Sequence, residues 1–586
     1  MLKRPTARAE TGWIASLGGF TGASWFEPTG TRFSAAAVLI VSGIAHEERT
    51  MAEGLTALAQ SLASAGHGTL LIDLHGTAQS SGNLDAPLIG EHWRDDVRAS
   101  LRHLHEAGFA QVIVVGVRLG ALLAFDALRH EQVAGFVAWS PVLSGRRYVR
   151  ELRMMQSATS DAATSKDETL SIAGHSIPRS ALAHLATLAF GENAHGTQLP
   201  MLLLDGAERI EATRAGQFAK PGLPIDRAVS TQVDRWLFQP DLMPAPPLTD
   251  IRTITAWCQR LHPSALPLVE RAPPRPYLLQ EIVLTSDDGR RVRERAVRIE
   301  PEGLSAIVSE PADRPARGVS RLLATLVGPG RMFPEFARSE AGRGKVCLRF
   351  DFAGFSTSRL RDDDSGGSLY GLGNRVDVIA ALAWLKRAGH SKVAMVGFCA
   401  GAWSMIHAGA AQGVVAVVGI NVALYRQPDY AWREYLLHAG HLVSKMLSLL
   451  RRLARLASAV DRLERWSPLA LNPNRWLVRL CKSPARLLLV YGASDHGLAY
   501  LKRHFGPPLD ATQRNGSLQT LTYDNLGHLT QGTEARARAL GNIAVFLDEL
   551  DELGALDGQP ATPVNERSDR EHPLSLLGHR KNARSC

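Results

Sequence analysis

VGFCAGAWS, residues 396–404, holds Gly397-Phe398-Cys399-Ala400-Gly401, a glycine-flanked turn with cysteine at its centre. The apolar run KVAMVG (392–397) leads into it and AWSMIHAGAA (402–411) leads away, so the pattern predicts a strand, a sharp turn and a helix. In such a turn the central residue sits at a strained backbone position, and the glycines leave room for the crowding. The start of the helix lies beside the central side chain and favours negative charge there. A thiol gains most, because a helix N-terminus and a histidine partner both lower cysteine pKa. A second copy of the turn, VGVRLGALL (115–123), keeps the glycines but carries Arg118 at its centre.

The two turns sit in matching series. In the first half, AAAVLIVSG (35–43) reads as a buried strand and MAEGLTALAQSLASAG (51–66) as a helix ending at glycine. GTLLIDLHGTAQSSG (68–82) is a strand that runs into a polar loop after Asp73, and HWRDDVRASLRHLHEAG (92–108) is a helix. QVIVVG (111–116), ALLAFDALRH (121–130) and VAGFVAWSP (133–141) follow as strand, helix and strand. The second half repeats the order with LLATLVGPG (322–330), KVCLRFDFAGFSTS (345–358), RVDVIAALAWLKRAG (375–389), KVAMVG and VVAVVGIN (414–421). Asp351 lies 278 positions after Asp73, and Cys399 lies 281 after Arg118. Near-constant offsets over several elements indicate duplication. Strands alternating with helices indicate α/β architecture: two doubly wound, mostly parallel sheets, each with a helical insertion. The expected division is residues 1–259, a proline-rich linker at 260–280, a second domain at 281–555 and a disordered polar tail at 556–586.

A nucleophile needs a base, and the base needs an orienting acid. In this fold order they follow the nucleophile at the ends of later strands. ARLLLVYGASDHG (485–497) releases Asp495 into a glycine-flanked loop, and LQTLTYDNLGHLTQG (518–532) releases His528 into another. A helix over 536–553 closes the domain. Each residue has a plainer reading. A cysteine at a strand end is often a small packed hydrophobe, a loop aspartate often a cap, and a loop histidine often merely solvated. His496 and Asp524 are nearby competitors. Three residues at the three required positions favour Cys399 as nucleophile, His528 as base and Asp495 as orienting acid. The oxyanion donors would be the backbone N–H of Ala400 and one from the loop Gly328-Pro329-Gly330-Arg331. Pro329 has no N–H, which leaves Gly330 or Arg331, with Gly330 preferred.

The first half lacks these groups. Arginine stays protonated in proteins and cannot attack an acyl carbon. PMLLLDGAERIE (200–211) aligns with RLLLVYGASDHG by Gly206 and Gly492, which sets Arg209 opposite Asp495. After that strand the sole histidine before the linker is His262, beyond the last helix. The first half therefore reads as a degenerate copy. Arg118, at its nucleophile position, either binds a ligand anion or pairs with an internal acid such as Asp73 or Glu47, with the structural role favoured. His46 and His75, on the facing loops, read as remnants of a site or as ordinary polar residues.

Composition bounds the rest. The chain has 586 residues, more than one core accommodates, with a net charge of +9 and a pI near 9.4. That charge is spread along the chain without a reading helix or stacking motif, so nucleic-acid binding is not expected. The five cysteines, Cys258, Cys347, Cys399, Cys481 and Cys586, are dispersed, which argues against a disulfide framework or a zinc site. No signal peptide or membrane-spanning run is visible, so the expected location is the cytoplasm. No metal or organic cofactor is required. The expected partner is a small acyl ester or thioester, free or carried on coenzyme A or a carrier protein.

These motifs resemble the α/β-hydrolase superfamily, twice over and across nearly the whole chain. The Cys-Asp-His order resembles dienelactone-hydrolase-type and cysteine-variant thioesterase members. GVRLGALLAFDALRH (116–130) with SPVLSGRRYVRELRMMQ (140–156) is similar to one type of the α/β hydrolases associated with bacterial exosortase and exopolysaccharide clusters. RFDFAGFSTS (349–358), GFCAGA (397–402) and INVALYRQPDYAWREYL (420–436) are similar to the other. The resemblance implies an ester- or thioester-directed hydrolase or acyltransferase in bacterial polysaccharide or secondary-metabolite biosynthesis. A non-catalytic scaffold built from two such domains is the alternative.

An insertion at about 425–483 contains HLVSKMLSLLRRLARLASAVDRLERW (441–466), apolar at helical spacing and rich in arginine. A lid over the site is the preferred reading, and a membrane-surface helix the competing one. The first half has a shorter counterpart, SGRRYVRELRMMQ (144–156).

Overall fold

The computed structural model describes residues 7–29, 33–159, 169–190, 199–214, 225–238, 244–262, 274–286, 289–361, 371, 373–422, 480–502 and 516–552. The insertion at 425–483 up to residue 479, most of the linker and the tail at 556–586 lie outside them.

The first half builds one sheet from β1 (Ala9–Ser16), β2 (Gly19–Phe26), β3 (Ala36–Val41), β4 (Thr69–Ile72), β5 (Gln111–Val117), β6 (Gly135–Trp139), β9 (Met201–Asp205) and β10 (Ile225–Val229). A separate hairpin, β7 (Thr169–Ile172) and β8 (His175–Pro178), stands in the insertion between β6 and β9. The helices are α1 (His46–Ser64), α2 (Ile89–Glu106), α3 (Leu119–Ala127), α4 (Gly145–Thr159), α5 (Arg179–Thr187), α6 (Ala207–Arg214), α7 (Val233–Phe238) and α8 (Leu248–Leu261). The strand order is β1-β2-β4-β3-β5-β6-β9-β10, antiparallel at the β1-β2-β4 edge and parallel beyond it.

The second sheet is built from β11 (Glu281–Thr285), β12 (Arg291–Ile299), β13 (Leu304–Pro311), β14 (Ser320–Ala324), β15 (Cys347–Phe350), β16 (Val393–Phe398), β17 (Val414–Ile420), β18 (Arg486–Gly492) and β19 (Leu518–Tyr523). Its helices are α9 (Met332–Gly342), α10 (Gly373–Arg387), α11 (Ala400–Ala408) and α12 (Thr533–Glu552). The order β11-β12-β13-β15-β14-β16-β17-β18-β19 is that of the first sheet with one strand added at the edge. Both halves have the α/β-hydrolase fold: a mostly parallel doubly wound sheet with one crossover, between β3 and β4 in the first and between β14 and β15 in the second.

The central strands form because they are apolar on both faces. Every residue of β3, β14 and β16 is buried, a pattern that requires helices on both sides of a parallel sheet. Met51, Leu55, Leu58 and Leu62 line the buried face of α1, and Ile543, Leu547 and Leu550 that of α12. Each fully buried side chain of this kind contributes ~1.5–3 kcal/mol.

The edge strands β1, β2 and β11–β13 escape the sequence reading. They are antiparallel, and β12 reads RVRERAVRI, which looks like a charged loop until Glu294 is seen buried. Against the upward effect of burial, Arg338 and Arg349 pull its carboxyl down to about 2. The end of the proline-rich stretch is not free chain. Leu279 pairs with Trp13 of β1 through two backbone hydrogen bonds of 3.0 and 2.9 Å.

The halves are joined through buried polar contacts. Arg331 donates to the carbonyls of Ala78 (3.1 Å), Gly82 (2.6 Å) and Ser80 of the first half. Arg349, fully buried, donates to Gln79 Oε1 and to Glu294, each at 2.7 Å.

Candidate active site

The two turns are superposable in kind. Arg118 has φ 50 and ψ −122, and Cys399 has φ 48 and ψ −116. Arg118 N–H donates to Trp139 O (3.0 Å) at the end of β6, and Cys399 N–H to Ile420 O (2.9 Å) at the end of β17. A side chain at Gly116 would lie 2.4 Å from Ala121 Cα, and one at Gly397 2.5 Å from Ala402 N. Strand and helix approach too closely there for any Cβ, so glycine is required.

In the second half, β18 ends at Gly492 and the chain turns so that Asp495, buried, receives Gly497 N–H on Oδ1 (2.7 Å). Its Oδ2 lies 2.6 Å from His528 Nδ1. Cys399 lies close enough to His528 to act on its pKa as well. Asp495 first and Cys399 second raise the His528 pKa to about 10, against the opposing effect of burial. The structure thus brings Cys399, His528 and Asp495 into one row at the carboxyl ends of β16, β18 and β19. His496 and Asp524 are exposed.

Asn421, which the sequence reading passes over as a strand end, fixes the histidine loop. Its Nδ2 donates to Gly527 O (2.8 Å) and His528 O (2.7 Å), and its Oδ1 accepts Gly492 N–H (2.9 Å). The equivalent position after β6 is Ser140, with nearly the same φ (44 against 47), and its hydroxyl has no hydrogen-bond partner among the described residues.

A cavity of about 320 Å³ opens at Cys399 and is walled by both halves. Ala400, Gly330, Phe355 and Phe398 line it from the second half, and Glu48, Arg49, Asp73 and His175 from the first. Gly330 has φ 57, and a Cβ there would strike Arg536 Nη1 and Gly174 O of the β7–β8 turn. In the same loop Leu326 N–H is committed to Asp351 Oδ1 (2.9 Å). Burial raises the carboxyls on these walls. Glu48 reaches about 8, with Asp73 adding to the effect, Asp73 about 7 and Asp351 about 6.

The first-half turn is occupied from within. Arg118 Nε donates to Glu47 Oε1 (3.1 Å) and its Nη2 to Glu151 Oε1 (2.7 Å). The Tyr148 and Phe238 rings lie 5.8 and 5.0 Å from the guanidinium. Burial opposes the charge of Arg118, but Glu47 and Glu151 outweigh it and raise its pKa. Glu47 Oε2 accepts the N–H of Leu119 (3.2 Å), the residue after the turn's centre. That amide corresponds to Ala400 N–H in the second half, so a carboxylate of the protein itself takes the anion position. Of the two acids considered for Arg118, Glu47 is the partner.

Arg209 pairs with Asp205 and Asp234, each at 2.6 Å. Directly after β10, Ser230 is bonded to Asp250 (2.6 Å). His262 ends α8, and His75 packs edge-on against His92 at 4.5 Å. His46 is held neutral, at about 4, by burial and then by Arg118.

Cys258 and Cys347 are buried in the two cores, and burial pushes the thiol of Cys258 to about 12 and that of Cys481 to about 11. Among the described residues no group of His, Cys, Asp and Glu could hold a metal ion. No described helix is long and apolar enough to cross a membrane.

No protein-family model and no curated protein sequence matches the chain. Solved structures with a similar chain trace include XC6422, an α/β serine hydrolase without lid from Xanthomonas campestris, at 16% identity, over 46% of this chain and 97% of that one, with a TM-score of 0.27. The α/β hydrolase GrgF from Penicillium sp. sh18 is 16% identical over 46% of this chain and 98% of its own, TM-score 0.30. Est1E from Butyrivibrio proteoclasticus is 16% identical over 43% and 98%, TM-score 0.31. Each spans less than half of this chain.

Proposed function

We propose that the second half is an acyl-transferring enzyme working through an acyl-cysteine, and that the first half is a pseudo-hydrolase. The observation that carries this reading is the 2.6 Å contact of His528 Nδ1 with Asp495 Oδ2, with Cys399 near enough to act on the same imidazole. Asp495 holds the imidazole with Nδ1 inward, so that Nε2 faces the sulfur. His528 takes the thiol proton, and the sulfur attacks the carbonyl of an ester or thioester. The carbonyl oxygen becomes an oxyanion, which Ala400 N–H and Gly330 N–H receive. One such donor lowers the barrier by ~3 kcal/mol. Collapse of the intermediate breaks the bond to the leaving group, which departs with the proton from His528. Water or another acceptor then attacks the thioester on Cys399, with His528 as base, and frees the thiol.

A thiol nucleophile suits thioester exchange, so transfer to an acceptor and hydrolysis use the same first step. The polysaccharide or secondary-metabolite setting implied by the motif resemblance supplies hydroxyl acceptors for such transfer. The test is incubation with a panel of acyl-thioesters followed by intact-mass measurement. A mass gain equal to the acyl group, mapped to Cys399 and absent from Cys399→Ala, is expected. No adduct and no turnover with any member, in protein whose Cys399 is reduced, would overturn the reading.

A further inference from the structure

The first turn of α1 faces two ways. Glu47 closes the first-half turn, while Arg49, two residues on, lines the cavity that Cys399 lines. Arg49 is half-buried. Burial lowers its pKa, and the charge of Cys399 acts on it in the opposite direction. Among the described residues no carboxylate forms an ion pair with Arg49. The neighbouring acids are engaged by the backbone: Glu48 by Ala78 N–H, Asp73 by Gln79 N–H (3.2 Å) and Asp351 by Leu326 N–H (2.9 Å). Glu53, which also lines the cavity, has interactions of its own.

His175 is held neutral, at about 3, by burial and then by Arg536 and Arg331. Arg536 Nη1 is buried beside Gly330 with no hydrogen-bond partner among the described residues. A guanidinium withdrawn from water costs free energy unless an anion meets it. No acid among the described residues meets Arg49, which leaves it open to an anionic group on the ligand.

Resting on the acyl-cysteine reading above, we propose that Arg49 of the first half recognises an anionic oxygen group, carboxylate or phosphate, on the substrate whose acyl carbon meets Cys399. The degenerate copy thereby sets the specificity of the active one. The guanidinium would receive two oxygens of that group side by side, a geometry that carboxylates and phosphates share.

The test uses the full chain and two alkylating reagents, anionic iodoacetate and neutral iodoacetamide. With either, the thiolate of Cys399 displaces iodide and forms one S–C bond. The ratio of the two rates therefore cancels any effect of Arg49 on the amount of thiolate. The ratio should fall at least about tenfold in Arg49→Gln and stay near wild type in Arg49→Lys. An unchanged ratio in Arg49→Gln overturns the proposal. If that variant does not fold, the wild type alone decides. Succinate or inorganic phosphate should protect Cys399 from iodoacetamide where neutral succinamide does not, and equal protection by all three overturns the proposal. Protection by succinate alone assigns a carboxylate, and by phosphate alone a phosphate. A Cys399 inert to both reagents while Cys481 reacts removes the acyl-cysteine reading and this proposal with it. A reactive Cys399 with an unchanged ratio removes this proposal alone.

Discussion

Arg118 and Cys399 occupy the same backbone conformation, on the same strand, at the start of the same helix. Around Cys399 the next amide, a histidine and an aspartate converge on a cavity. Around Arg118 the next amide is taken by Glu47, and the guanidinium pairs with Glu47 and Glu151. The strained turn is therefore kept in both halves while its surroundings differ. In the first half strand and helix pack through Gly116, and the Arg118–Glu47 pair satisfies the amide beside the turn. The first half also walls the cavity at Cys399.

The largest effects should come from exchanging the two centres. Cys399→Ala and Cys399→Arg should each lower turnover at least about 10³-fold while the fold is retained. Adding Arg118→Cys to the Cys399→Ala background should restore no acyl adduct, because Glu47 holds the oxyanion amide and His46, beside the turn, is kept neutral chiefly by burial. Intact mass after incubation with acyl-thioesters checks both. An adduct on the introduced cysteine would break the comparison.

Next is the buried pair. Arg118→Met should destabilise the first half by ~3–5 kcal/mol, since it leaves the Glu47 carboxylate buried without its cation. Arg118→Met combined with Glu47→Leu should recover most of that loss. Thermal unfolding of the four proteins closes the cycle, and additive losses would show that the pair is not coupled.

The pH dependence of the second half follows from His528. Its folded-state pKa is raised from 6.5 to about 10, so the stability it contributes is complete below 6.5 and is lost as pH rises towards about 10. Asp495→Asn removes the largest cause of that shift. Its melting temperature should therefore fall less than that of the wild type between pH 6.5 and about 10. Parallel profiles would contradict the Asp495–His528 interaction. The smallest effect is that of Asn421→Ala, which frees Gly527 O and His528 O. It should cost ~1–3 kcal/mol and slow acylation. Unchanged stability would mean that the loop is held by other contacts.

Much of this was legible from the sequence. The paired turns, the central strands and the positions of Asp495 and His528 follow from apolar runs ending in glycine-rich loops. The charged edge strand β12 was not legible, because its burial depends on Arg338 and Arg349 arriving from elsewhere in the chain. Asn421 was passed over because one polar residue ending a strand carries no pattern. Glu47 was one of two acids considered for Arg118, and only the packing of α1 against the turn selects it. Arg49 was illegible for a stronger reason: its role needs both halves assembled around one cavity.

The most direct measurement is the rate at which iodoacetamide alkylates Cys399 near neutral pH, followed peptide by peptide against Cys481. The two thiols share one chain and are both half-buried, and burial pushes Cys481 to about 11 with no histidine or helix start acting on it. Cys399 should react at least about a hundredfold faster than Cys481 and should lose most of that advantage in His528→Ala. Equal rates for the two thiols, or a Cys399 rate indifferent to His528, would contradict the claim that the second half holds an activated nucleophile.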